Sequence, residues 1–132
     1  MIGAPDYKRA YYTKNLNTNL SLTTTIKTSS TVNFDLSTDS SIPSSAVVAQ
    51  ISLNGVETNK YNADGKVRSI KTYFGNWMNK SGVSFFDIDV LNVNSPMALK
   101  QQWSFKHSAS TVYGPYSLNP SITFTYLCED VY

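Results

Sequence analysis

The chain has 132 residues, of which 41% are hydrophobic, 13% aromatic and only 15% charged. Apolar content of that size in one domain's length supports a packed core and excludes a disordered chain. Eleven Lys and Arg against nine Asp and Glu leave a net charge of +2, too small and too dispersed for the basic face of a nucleic-acid binder.

The composition is biased toward short, neutral polar residues: 18 Ser, 13 Thr and 12 Asn. One cysteine, Cys128, excludes an internal disulfide and a thiolate zinc site, and reads as a small hydrophobe on the last strand. No apolar run reaches the roughly 18 residues of a membrane-spanning helix. The first residues carry no apolar signal-peptide core.

Residues 1–15 lack periodicity and read as an N-terminal arm. Its tyrosines, Tyr7, Tyr11 and Tyr12, are candidates for an assembly contact, because an unpatterned arm needs something to dock on. Residues 16–132 read as the folded domain. Leu16, Leu20, Leu22 and Ile26 alternate with polar residues, as in a strand of about a dozen residues with one apolar face. Val32, Phe34 and Leu36 repeat the pattern beyond a Thr28-Ser29-Ser30 turn. Such a hairpin also fits the pattern of a membrane-inserting β-pore segment.

After a Ser-rich loop at 39–45, Val47, Ala49, Ile51 and Leu53 alternate again. Asn54-Gly55 and Asp64-Gly65 are hairpin signals, since a type I′ turn needs positive φ at both central residues. The run from Val67 to Phe74 is a strand whose inward face is ambiguous. Residues 75–82 form an aromatic-bearing loop around Trp77. From Val83 to Val93 a further strand places Phe86, Ile88 and Val90 on one face, and Asp87 with Asp89 on the other. Ser95-Pro96 is the best helix start, with Ser as N-cap and Pro at the first helical position. Trp103, Phe105 and His107 then alternate, a Gly114-Pro115 turn follows, and Ile122, Phe124, Tyr126 and Cys128 line one side of the last strand.

The spacing therefore implies an all-β fold: a single antiparallel β-sandwich, jelly-roll or Ig-like, of eight to ten strands, with at most one short helix near 96–102.

The chemistry available is narrow. His107 is the only histidine, and the serines beside it in sequence point to the other strand face, so no nucleophile–base pair is built locally. Asp87 and Asp89, roughly 7 Å apart along one strand face, are a weak calcium candidate and a weaker glycosidase-like pair. Aromatics are the enriched vocabulary. Trp77, Tyr113 and Tyr116 are candidate ligand-binding residues, because exposed Trp and Tyr give flat contact area for sugars or proteins.

The expectation is a non-enzymatic β-sandwich that works by self-assembly or surface recognition, as an extracellular or virion structural subunit of fibre, appendage or coat type. The alternative is a monomeric carbohydrate- or protein-binding module on a cell surface. A β-pore-forming toxin and a glycosidase-like enzyme rank below both. Expected partners are copies of itself or a surface glycan or protein, with no nucleic acid, no transmembrane segment and no cofactor beyond the weak calcium candidate.

Overall fold

The computed structural model describes residues 7–82, 86–90 and 97–129. Nine strands are present among them: β1 (Tyr7–Asn15), β2 (Leu20–Leu22), β3 (Val32–Asp35), β4 (Val47–Thr58), β5 (Ala63–Thr72), β6 (Met78–Ser81), β7 (Asp87–Asp89), β8 (Gln102–Val112) and β9 (Tyr116–Glu129). They form two antiparallel sheets. One has the order β1-β9-β4-β7 with β2 also on β9; the other has the order β3-β8-β5-β6. With β1 and β2 taken as one interrupted edge, eight strands divide four and four between two sheets. That is the double-sheet jelly-roll arrangement rather than the Ig one.

The spine is β9. Its even residues Leu118, Ile122, Phe124, Tyr126 and Cys128 are buried, as the alternation implies. β1 and β2 pair along one side of it and β4 along the other. The facing sheet contributes Phe34, Ile70, Trp103 and Phe105. Trp103 packs on Phe124 at a ring distance of 4.9 Å and donates its indole N–H to the Leu99 carbonyl at 3.0 Å, so even this polar atom is satisfied in the core.

Several expectations need correction. The stretch read as an arm is, from Tyr7 onward, β1: nine register pairs run from Tyr7 opposite Glu129 to Asn15 opposite Ser121. It lacks apolar alternation because it is an edge strand of mostly polar residues, with every other side chain only partly covered. The long strand expected over 16–26 is three residues, Leu20–Leu22. It stops because Thr23 turns the chain: its N–H donates to the Ile26 carbonyl at 2.9 Å and its hydroxyl accepts from the Ile26 N–H at 3.0 Å. Ile26 is left exposed. β2 and β3 lie in different sheets, so they make no hairpin with each other.

Asn54-Gly55 is not a turn either. β4 runs straight through it, with Gly55 opposite Pro120. Glycine is there for close approach: a Cβ would lie 2.6 Å from the Asn119 carbonyl oxygen and 2.7 Å from Leu118 Cδ1. Gly65 does take positive φ, +64°, but inside β5 opposite β8. The turn itself falls earlier, at Asn59 (φ 58°) and the 3₁₀ segment Lys60–Asn62, and carries the chain from one sheet to the other. The one short helix allowed near 96–102 is not formed over the described part, 97–102. There Ala98 bridges to Val47 and Gln102 already opens β8. Ser95 and Pro96 lie outside the described residues.

The ambiguous face of β5 resolves with its even residues inward, and this buries Arg68. The guanidinium is held by the Leu53 carbonyl at 2.6 Å and the Phe86 ring at 3.9 Å, with Glu57 Oε1 at 3.8 Å. The other Glu57 oxygen accepts from Lys66 Nζ at 2.7 Å and from the Tyr116 hydroxyl at 2.5 Å. One carboxylate thus ties β4, β5 and β9 together across both sheets. His107 closes the cluster. Its ring packs edge-on to Tyr116 at 5.8 Å, and Nε2 lies 2.8 Å from the Leu20 carbonyl. A carbonyl only accepts, so the proton sits on Nε2.

Burial pushes the His107 imidazole below its ordinary value. The Leu20 carbonyl opposes this, the Arg68 charge adds to it and Glu57 opposes it. Burial alone would raise the Glu57 carboxyl, but the Lys66 and Tyr116 hydrogen bonds and the Lys66 and Arg68 charges outweigh it and hold it low.

Two predictions follow from this packing. Gly55→Ala costs about 1–3 kcal/mol, as overpacked sites do, measured by urea unfolding. A depressed histidine makes stability full above its unfolded value of about 6.5 and lost as pH falls toward the folded value. Thermal midpoints therefore fall from about pH 7 to pH 5, and His107→Gln flattens that slope; an equally steep slope in the variant would assign it to other groups.

Candidate functional site

The two sheets present different outer surfaces. On the outer face of the β3-β8-β5-β6 sheet, Lys71 is opposite Ser104, and Lys106 is opposite Ser69. The two lysines are therefore diagonal neighbours. Trp77, half-buried just ahead of β6, lies against both: Lys106 Nζ is 4.4 Å from its ring and Lys71 Nζ 5.4 Å. An aromatic face accommodates two ammonium groups that would otherwise repel. Trp77 and Lys71 line an open groove of about 300 Å³ with Tyr73, Gln102, Ser104, Asn33 and Thr31, and Lys106 flanks it through its contact with the Trp77 ring.

The candidate ligand residues are not brought together. Tyr113 sits at the β8–β9 turn. Its N–H donates to the Asn62 carbonyl at 2.7 Å and its hydroxyl to Asp64 at 2.8 Å, and that hydrogen bond pushes the phenol up from its ordinary value. Asp64 is at the start of β5, while Trp77 lies past its end. Ten residues of strand, about 33 Å, separate the two ends. Tyr116 is 3% exposed. It belongs to the Glu57 cluster and offers no surface to a ligand; burial first, then Glu57, pushes its phenol up.

Of the arm tyrosines, Tyr11 points outward and is 69% exposed. Tyr12 turns back on the chain's own fold and donates to Asp39 at 2.5 Å. Burial, then the Asp39 hydrogen bond, pushes the Tyr12 phenol up to about 12. Hydrogen bonds from Ser41, then Tyr12, pull the Asp39 carboxyl down to about 2. Tyr7 pairs through its backbone with Glu129.

Asp87 and Asp89 occupy β7 opposite Ser52 and Gln50, on the side away from the core that Ile88 faces. They lie on an open edge strand, and among the described residues no group of three or more potential metal ligands gathers.

Sequence reasoning missed Lys71, Lys106 and Phe74. The lysines become neighbours only once β5 and β8 are known to pair; nothing in either segment alone links them. Parity groups Phe74 with Ile70 and Thr72, the residues the structure turns inward. The strand ends at Thr72, so parity fails, and Phe74 is 95% exposed. Its ring packs edge-on to Tyr73 at 4.7 Å, also in solvent.

No family model and no curated protein matches the chain. Among solved structures, a chain from the crystal structure of Tomato aspermy virus is similar over 94% of this chain and 79% of its own, with 10% identity and a TM-score of 0.45. The class is defined by the strand order above: an all-β jelly-roll sandwich with aromatic groups held at its surface.

Tyr12→Phe removes one of the donors that hold Asp39 low. The expected result is an upward move of the Asp39 carboxyl from about 2, followed by carbon NMR titration, together with a lower melting temperature.

Proposed function

We propose that this protein is a non-catalytic structural subunit that assembles with copies of itself by head-to-tail contacts. One observation carries the reading: large aromatic side chains stand in solvent at both ends of the sandwich. Tyr61 and Tyr113, 84% and 64% exposed, lie before and beside the start of β5. Tyr73 and Phe74, 60% and 95% exposed, lie just past its end. Exposed aromatic groups are enriched where protein surfaces meet.

The two ends are chemically different. A contact between unlike surfaces is heterologous, and heterologous contacts extend into rings, shells or filaments rather than closing as a dimer. The assembly is therefore of the fibre, appendage or coat type, on a virion or outside a cell. The only histidine is buried and hydrogen-bonded inside the Glu57 cluster, which supports a role without histidine chemistry.

The test is light scattering after size exclusion. The wild-type chain is expected above its 14.7 kDa monomer mass, with the mass falling on dilution. Tyr73→Ser with Phe74→Ser, or Tyr61→Ser with Tyr113→Ser, each stops growth. Mixing the two double variants restores a dimer and nothing larger, because each keeps one intact end. A wild-type monomer at every concentration would contradict the proposal, and so would variants that assemble as before.

A further inference from the structure

The groove around Trp77 shares Tyr73 with one proposed contact end, but its other residues have the chemistry of a ligand site. We infer that it binds an anionic saccharide, with Lys71 and Lys106 as the groups that hold the acid. Both ammoniums rest against the Trp77 ring. Neither forms an ion pair with a carboxylate among the described residues, where the only salt bridges belong to Glu57. Two cations held a few ångströms from one ring and left without a counter-charge are complementary to a carboxylate or sulfate.

The rest of the lining suits a hydroxylated ring. Ser104 donates to Asn33 Oδ1 at 2.6 Å, which fixes that amide and leaves its NH₂ as a donor with no partner among the described residues. Gln102 and Thr31 add an amide and a hydroxyl beside it. Asn33, Ser104 and Gln102 stand on strands β3 and β8, whose pairing Asn33–Ser104 and Asp35–Gln102 sets their spacing, and Thr31 directly precedes β3. Rigid strands make a preformed site that costs little ordering on binding. The volume of about 300 Å³ is at the small end of ligand sites, which fits one or two sugar units. The floor offers neutral amides and hydroxyls rather than arginine forks or a row of backbone N–H groups, so a sugar acid fits it better than a bare phosphate.

Tryptophan fluorescence reads the groove directly. Trp77 borders it, and the second tryptophan, Trp103, is fully buried. The probes are N-acetylneuraminic acid and a short polyuronate for carboxylates, and a heparin oligosaccharide for sulfate. Glucose, inorganic phosphate and a short single-stranded oligonucleotide are the comparators. The expected result is a saturable change with the carboxylated or the sulfated sugars, the stronger of the two identifying the acid. Lys71→Ala and Lys106→Ala each weaken it about tenfold, whereas Val56→Ser, exposed on the other sheet, leaves it unchanged. No saturable change with any anionic sugar would overturn the inference. So would equal binding by the lysine variants, or tighter binding of phosphate or the oligonucleotide than of every sugar.

Discussion

The Glu57 carboxylate is the point on which both sheets depend. It sits on β4 and receives Lys66 from β5 and Tyr116 from β9, with Arg68 of β5 alongside. The cluster is satisfied: among the described residues no buried side-chain polar atom lacks a hydrogen-bond partner. Removing the carboxylate would leave the buried Arg68 guanidinium and the partly buried Lys66 ammonium without their shared counter-charge, and breaking such a cluster costs far more than forming it gains. The same cluster explains why Tyr116, His107 and Arg68 are inside a sandwich whose core is otherwise apolar. Through Tyr116 it adjoins the smaller of two core regions, that of Leu22, Ala63, Ala109, Val112 and Tyr116; the larger lies around Trp103 and Phe124.

With the sheets fixed in this way, surface chemistry is free to differ from place to place. The Ser, Thr and Asn bias supplies strand faces that are polar without being charged, so a few lysines and aromatics define local character. Pro120 illustrates how tightly the spine is adapted. It lies in β9, flanked on both sides, yet its carbonyl accepts from Leu16 at 3.1 Å. In an antiparallel strand a residue's N and O face the same neighbour. The missing N–H of Pro120 therefore falls where the edge is broken between β1 and β2, and costs no ladder bond.

Much of the fold was legible because period two is a strong signal wherever one face is buried. The alternation of Ile122, Phe124, Tyr126 and Cys128 marks the inward face of β9, and Trp103 with Phe105 marks that of β8. The failures have physical reasons. Tyr7 to Asn15 hid a strand because an edge strand need not bury a continuous apolar face. Arg68 hid the inward face of β5 because its partners come from β4 and the segment ahead of β7. Gly55 imitated a turn because glycine serves close packing as well as positive φ. The candidate site was legible in part. Trp77 was singled out as a surface aromatic, but the two lysines that give its groove a sign come from strands 35 residues apart in sequence, Lys71 and Lys106. Tyr116 was misplaced because turn-flanking tyrosines look alike until one is seen to reach a buried carboxylate.

The central claim is that the two aromatic ends are contact surfaces between copies of the chain. The most direct measurement is hydroxyl-radical footprinting with mass spectrometry at low and high protein concentration. The account predicts that Tyr61, Tyr113, Tyr73 and Phe74 become protected as concentration rises, while Val56, comparably exposed on the opposite sheet's outer face, does not. Equal modification of all five residues at both concentrations, in a sample shown to have assembled, would contradict it.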